Sequence, residues 1–346
     1  MLRDHFVERP GKALRDRYAE GLLRSLSERS ERSLSECNER SNNERSKWSN
    51  SEQSERSNMK LFPNCKINIG LRVVRKREDG YHDLETIFYP VYGLHDELEV
   101  QPSDEFAFIQ EGITVDCLPT DNLIYKVYAR MRDRYPQIGN VTISFKKNIP
   151  FGAGLGGGSS DAAHMAMALN EIFALGLTKE QLAQELSPLG ADCPFFIYNT
   201  PCYAEGIGDK LTPIDLDLSG LRLIMIKPEC GVSTKEAYGG IVPKGTCEHF
   251  APFINPLEPF LLLEHLPLLT NDFEETVCKV HPELAAIKKR LQDAGALYAA
   301  MSGSGSTIFG LFECDAESTT HANLRLLNEE FASMIIFNDT LGKTQA

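Results

Sequence analysis

A chain of 346 residues, 42% hydrophobic and 25% charged, has the composition of a globular protein and the length for two domains with separate cores. Its formal charge of −13 excludes an extended nucleic-acid surface, which needs a net basic face, so any phosphate binding must be local. No apolar run approaches the roughly 18–20 residues that span a bilayer, and the nine scattered cysteines lack a Cys-x-x-Cys pair or a neighbouring His cluster, which suggests reduced thiols in a cytoplasmic protein.

Residues 1–58 repeat Ser, Glu, Arg and Asn, as in Ser27-Glu28-Arg29-Ser30-Glu31-Arg32-Ser33. Such a tract buries too little surface to offset its ordering entropy, so a disordered tail is expected. A targeting peptide is the competing reading, but 11 acidic residues stand beside 12 basic ones, whereas transit peptides are poor in acids. Met59 precedes the first strand-like segment, which also fits an upstream start.

Leu61 to Val74 reads as a strand with a polar interruption, and Lys66 and Asn68, two apart, share one of its faces. Solvent is the usual fate of a Lys at such a position. Asp79-Gly80 marks a tight turn into the next strand. Tyr81 and His82 lie beside it, where such residues often only cover a core edge. Leu84 to Tyr92 and Glu97 to Gln101 continue as strands, and Phe106 to Val115 is expected to hold two more. After Asp121-Asn122 a helix carries Leu123, Ile124, Val127, Tyr128 and Met131 at close to a 3.6 period.

Val141 to Phe145 alternates as a strand and leads through Lys146 and Lys147 into Pro150-Phe151-Gly152-Ala153-Gly154-Leu155-Gly156-Gly157-Gly158-Ser159-Ser160-Asp161. A helical stripe follows at Ala162, Met165, Ala166, Leu169 and Phe173. Glycines at this density free backbone N–H groups to meet an anion, and the positive end of the helix points the same way, so a nucleotide phosphate is expected there. Ser159 or Ser160 is placed to cap the helix or to face the phosphate. Thr178-x-x-Gln181 is a capping box opening a helix that ends near Leu186, before Pro188. Asp192 stands between a small-residue turn and an apolar segment at Phe195 read as a strand, and is either a cap or turn former or a catalytic group. Tyr203 to Ile214 holds a Gly-rich turn, and Leu221 to Ile226 opens a second domain as a strand. Helices at Asn271–Val280 and Glu283–Asp293, strands at Leu297–Met301 and Thr307–Phe312, and a last helix at Ala316–Leu327 complete the pattern. The small-residue loop Ser302-Gly303-Ser304-Gly305-Ser306 between the last two strands is weak evidence alone, since a hairpin turn uses the same residues.

Gly152-x-Gly154-x-x-Gly157 satisfies the dinucleotide pattern. That fingerprint opens a βαβ domain and needs an acidic residue at a strand end roughly 20 positions on, whereas Glu171 and Glu180 fall on helices. A P-loop requires a Lys after the last glycine, and protein-kinase signatures are missing as well. What remains is a loop that cradles a triphosphate with backbone donors.

On three ordered motifs, Pro63-Asn64-Cys65-Lys66-Ile67-Asn68, Pro150 to Ala163 and Met301 to Phe309, the chain resembles the GHMP kinases from Met59 to about Phe337. Cys65 stands where the family commonly has Ala. Asp79-Gly80-Tyr81-His82-Asp83-Leu84 and Gly190-Ala191-Asp192-Cys193-Pro194-Phe195 point within it to a branch whose acceptor is a CDP-linked methylerythritol. The resemblance implies an α+β fold with a ribosomal-protein-S5-like N-terminal domain (59–217) and a ferredoxin-like C-terminal domain (218–346). It implies ATP as co-substrate with Mg²⁺, Asp192 as general base, and Lys66 as its cationic partner. It implies Tyr81 and His82 at the cytosine with Asn68 and Lys147 nearby, Pro150 to Ser160 around the ATP phosphates, and Gly303, Ser304 and Gly305 bordering the same cleft. A kinase for another alcohol and a non-catalytic nucleotide binder of the same fold are the alternatives.

Overall fold

The computed structural model describes residues 58–114, 118–254, 261–314 and 318–342. The expected disordered tail therefore lies outside the described residues, Asn58 excepted. Strands β1 (Met59–Leu61), β2 (Asn64–Lys76), β3 (His82–His95), β4 (Glu97–Pro102) and β5 (Ala107–Gly112) lead into helix α1 (Leu123–Arg134) and strand β6 (Val141–Lys147). Helices α2 (Gly157–Ile172), α3 (Lys179–Leu186) and α4 (Cys193–Tyr198) follow, then β7 (Cys202–Gly206) and β8 (Lys210–Pro213). The remainder comprises β9 (Leu221–Ile226), α5 (Thr234–Tyr238), α6 (Ala251–Ile254), α7 (Leu261–His265), α8 (Glu274–Val280), α9 (Pro282–Asp293), β10 (Tyr298–Met301), β11 (Ile308–Glu313), α10 (Ser318–Glu330) and β12 (Ile335–Thr340).

Three four-stranded sheets result, ordered β1-β4-β6-β5, β2-β3-β7-β8 and β10-β11-β9-β12, and the one parallel pair among these strands is β5 with β6. The α+β expectation is met. The hairpin β2–β3 sets the site, because its register puts Lys66 opposite Pro90 and Asn68 opposite Phe88. No helix among the described residues is long and apolar enough to cross a membrane.

Two apolar cores flank the Lys66–Asn68 part of that hairpin, and a third takes in Leu71 and Val73. One gathers Phe88, Leu98, Ile143, Leu169 and Phe195 around α1, α2 and α4, and the other joins Ile67, Tyr89 and Val91 to Leu223, Met225 and Phe309. Ile149, Ala153 and Leu155 belong to the second core, with Leu155 only 1% exposed. Fully burying a side chain of that size stabilises by about 1.5–3 kcal/mol. The glycine loop is thus pinned at Ile149, Ala153 and Leu155, while Phe151 between the first two is 72% exposed.

Three expectations need correction. Phe106 to Val115 holds one described strand, and Val115 lies outside the described residues. The apolar segment after Asp192 is the short helix α4, because Pro194 in its first turn fixes a helical φ, and a short buried run carries no period to separate strand from helix. Strand β12 escaped the reading, since its residues are half-buried or exposed at a sheet edge and show no clean alternation.

Candidate active site

Lys66 and Asn68 share a face as their spacing requires, but that face is buried, at 3% and 2% exposed. The Lys66 ammonium donates to the Asn68 side-chain Oδ1, lies 3.5 Å from Asp192 Oδ2 and stands 4.7 Å over the Phe88 ring. Burial pushes its pKa below the ordinary lysine value, and the Asp192 charge opposes that fall. Asp192 occupies the N-cap position of α4 by its backbone, yet its side chain caps nothing. Its carboxylate is therefore free to face the lysine, with about a third of the side chain open to the cavity.

Gly152, Gly154 and Gly156 adopt positive φ values of 62°, 74° and 69°. At Gly154 a Cβ would fall 2.0 Å from the Ser302 carbonyl oxygen, and at Gly156 it would meet Phe196 at 2.9 Å and Lys66 Cε at 3.2 Å. The second small-residue loop is therefore packed directly on the first. Ser302 Oγ donates to Gly154 O at 2.9 Å and accepts from the Asn68 N–H at 3.2 Å. The helix N-cap is Gly156, not a serine, so neither serine takes the capping role. Ser159 faces the cavity, whereas Ser160 is fully buried with its hydroxyl 3.4 Å from His164 Nδ1.

A cavity of about 660 Å³ brings together Lys66, Asn68, Tyr81, His82, Lys147, Asp192, the loop from Pro150 to Ser159, and Gly303, Ser304 and Gly305. The Lys147 ammonium turns away from it, into the protein between Asp96 and Asp161. The His82 ring stacks on Tyr238 with centroids 4.7 Å apart, and Tyr238 meets Phe273 edge-on at 4.8 Å. Burial, then the Lys76 charge, lowers the His82 pKa, so the ring is neutral at pH 7. Burial and the Asp192 carboxylate push the Tyr238 phenol up to about 12. Sequence reasoning missed Tyr238, although Ser233-x-x-Glu236 was a legible capping signal for α5, with Ser233 Oγ accepting from Glu236 N at 3.1 Å. Cys230, His281 and Glu283 approach within 4.8 Å of one another, a grouping no linear spacing could show. His281 is already engaged there, by Glu236 and Glu283 at 3.1 and 3.5 Å.

Comparison with known proteins accords with this geometry. The GHMP kinases N terminal domain model matches residues 122–200, and the GHMP kinases C terminal model matches 258–325. The 4-diphosphocytidyl-2-C-methyl-D-erythritol kinase of Azobacteroides pseudotrichonymphae is 45% identical over 261 residues, 74% of this chain and 94% of that protein. The chain belongs to the GHMP kinases, in the branch of these relatives. The kinase of the same name from Parabacteroides distasonis is 46% identical, covering 74% of this chain and 92% of its own. A crystal structure of 4-(cytidine 5'-diphospho)-2C-methyl-D-erythritol kinase aligns with a TM-score of 0.64 and 32% identity, over 82% of this chain and 99% of that one. Homoserine kinase from Cytophaga hutchinsonii shares the GHMP fold, with a TM-score of 0.63 at 18% identity over 83% of this chain and 96% of that one.

Proposed function

We infer that the chain transfers the γ-phosphoryl group of ATP to the 2-hydroxyl of 4-diphosphocytidyl-2-C-methyl-D-erythritol, giving the 2-phosphate and ADP, a step of non-mevalonate isoprenoid precursor biosynthesis. The observation that carries this reading is one cavity with the Lys66–Asp192 pair, the glycine loop and the Tyr81–His82 corner around it, in a chain 40–46% identical to relatives named for that reaction. A tertiary alcohol is a weak nucleophile, so a carboxylate must accept its proton as the phosphoryl group arrives, and Asp192 takes that role. Lys66, dry and 3.5 Å away, stabilises the negative charge that gathers on the attacking oxygen and the γ-phosphate.

Backbone N–H groups from Gly152 to Gly158 and the start of α2 hold the ATP phosphates, and Gly303 to Gly305 border them. Two loops locked by Gly154 and Ser302 need little reorganisation on binding, which favours precise alignment of donor and acceptor. Mg²⁺ takes oxygen ligands, mostly phosphates and water with one or two protein atoms. Ser159, open to the cavity, fits such a shell, whereas the sealed Ser160 does not. When bound, the ion neutralises phosphate charge. The neutral His82 ring with Tyr81 receives the cytosine, and Tyr238 extends that aromatic wall. The domain boundary near residue 217 is supported by the two family models, which fall on either side of it. Cytoplasmic location is supported by free thiols at all seven described cysteines.

ADP release, measured with the CDP-linked alcohol, mevalonate, homoserine and galactose in parallel, should occur with the first alone. Comparable release with another alcohol and none with the first would overturn the substrate. Tyr238→Ala should raise KM for the CDP-linked substrate about tenfold, the usual worth of one base–aromatic stack, with KM for ATP nearly unchanged. Equal rises in both constants would remove Tyr238 from the acceptor side.

A further inference from the structure

Beneath the glycine loop lies a charged cluster that the phosphoryl transfer above does not use. Lys147, the last residue of β6, directs its ammonium to Asp96 Oδ2 at 2.5 Å and Asp161 Oδ2 at 2.8 Å. All three residues are at least nine-tenths buried. Asp96 Oδ1 accepts the backbone N–H groups of Asn148 at 2.6 Å and Ile149 at 2.8 Å, the two residues just before the loop begins. At the other end of the loop, Gly157 opens α2, and a Cβ there would lie 3.0 Å from the Lys147 ammonium. Asp161 follows on the same helix. The cluster thus holds the entrance and the exit of the loop at once.

The set is sealed from water, where removing one partner of an ion pair leaves an uncompensated buried charge and is strongly destabilising. Asp161 Oδ1 is buried without a hydrogen-bond partner, so Asp161 is tied to the cluster through Oδ2 and the Lys147 ammonium.

We propose that Asp96, Lys147 and Asp161 form a positioning clasp for the glycine loop, in which the Lys147 ammonium ties Asp96, the acceptor of both N–H groups at the loop's entrance, to Asp161 on the helix at its exit. The clasp acts through the loop and touches no substrate. Its effect on catalysis rests on the reading of Pro150 to Ser160 as the ATP site. The two acids differ in kind: Asp96 accepts two N–H groups and an ammonium, whereas Asp161 offers one oxygen to Lys147.

Steady-state kinetics of the full chain with Asp161→Ala, Asp161→Asn and Asp96→Asn test the idea. Asp161→Ala and Asp96→Asn should each raise KM for ATP at least about tenfold, the scale of a loop displaced by a fraction of an ångström, with a smaller change in kcat. Asp161→Asn, isosteric and neutral, should rescue KM to within about threefold of the parent value. Amide hydrogen exchange at Asn148 and Ile149, whose N–H groups Asp96 accepts, should lose protection in Asp96→Asn, and KM for the acceptor alcohol should stay near the parent value in all three variants. Damage by Asp161→Asn equal to that of Asp161→Ala, unchanged KM for ATP in both, or equal rises in both KM values would each overturn the clasp. If Asp161→Ala does not fold, the Asp96→Asn exchange and kinetics still decide. If the parent protein binds no ATP by calorimetry, the reading of the loop fails, while amide protection at Asn148 and Ile149 judges the clasp separately.

Discussion

Replacing Asp192 by Asn is expected to lower kcat by roughly 10²–10⁴-fold, the usual worth of a positioned general base. The dissociation constant for ATP should stay near the parent value. The substitution keeps the side chain's size and shape, and the carboxylate caps no helix and is about a third exposed, so little structure depends on it. What is removed is the carboxylate inferred to take the proton of the acceptor hydroxyl, which makes the expected loss specific to the chemical step. Single-turnover phosphoryl transfer and calorimetric ATP binding check the two halves, and near-parental turnover would sink Asp192 as the base. The same pair carries a pH signature. Burial lowers the Lys66 pKa while Asp192 holds it up, so the alkaline limb of kcat/KM should lie below the ordinary lysine value of about 10.4. In residual Asp192→Asn activity that limb should move lower still.

Those two residues also mark how far the sequence could be read. Lys66 and Asn68 were legible as a pair because a strand repeats every two residues, but their burial was not, since it depends on Phe88 across the hairpin and on Ser302, 234 residues away. The loop between Ile149 and Gly157 was legible from glycine density alone. Its rigidity was not, because it arises from core contacts at Ala153 and Leu155 and from the close approach of Ser302. Asp192 kept two readings in the sequence; its backbone stands at the N-cap of α4, while its side chain caps nothing and faces Lys66. Lys147 was read by resemblance as lying near the cytosine; it lines the cavity, while its ammonium faces two acids invisible to linear spacing. Local signals such as the Thr178–Gln181 capping box transfer directly from sequence to structure, whereas the long-range ion pairs of Lys147 had to await the fold.

Gly154→Ala is expected to abolish measurable turnover and to destabilise the protein by about 3–5 kcal/mol, from a left-handed φ imposed on an L-residue together with overpacking. The new Cβ would lie 2.0 Å from the Ser302 carbonyl oxygen, with Gly305 O at 3.1 Å, and both are backbone atoms that no rotamer change can move. Relief requires the two loops to part, which breaks the Ser302 Oγ to Gly154 O bond and loosens the oxygen that meets Asn68 N. Thermal unfolding and ATP binding should therefore fail together. Gly152→Ala is the control that separates strain from packing. Gly152 has a φ of 62°, but its Cβ would meet nothing within 4 Å, so the cost is backbone strain alone, about 1–2 kcal/mol. Its melting temperature should fall only slightly, while KM for ATP should rise if the loop is the inferred phosphate site, since the added methyl projects into open space there. If Gly154→Ala proved no more harmful than Gly152→Ala, the contact between the two loops could not be what holds the site in shape.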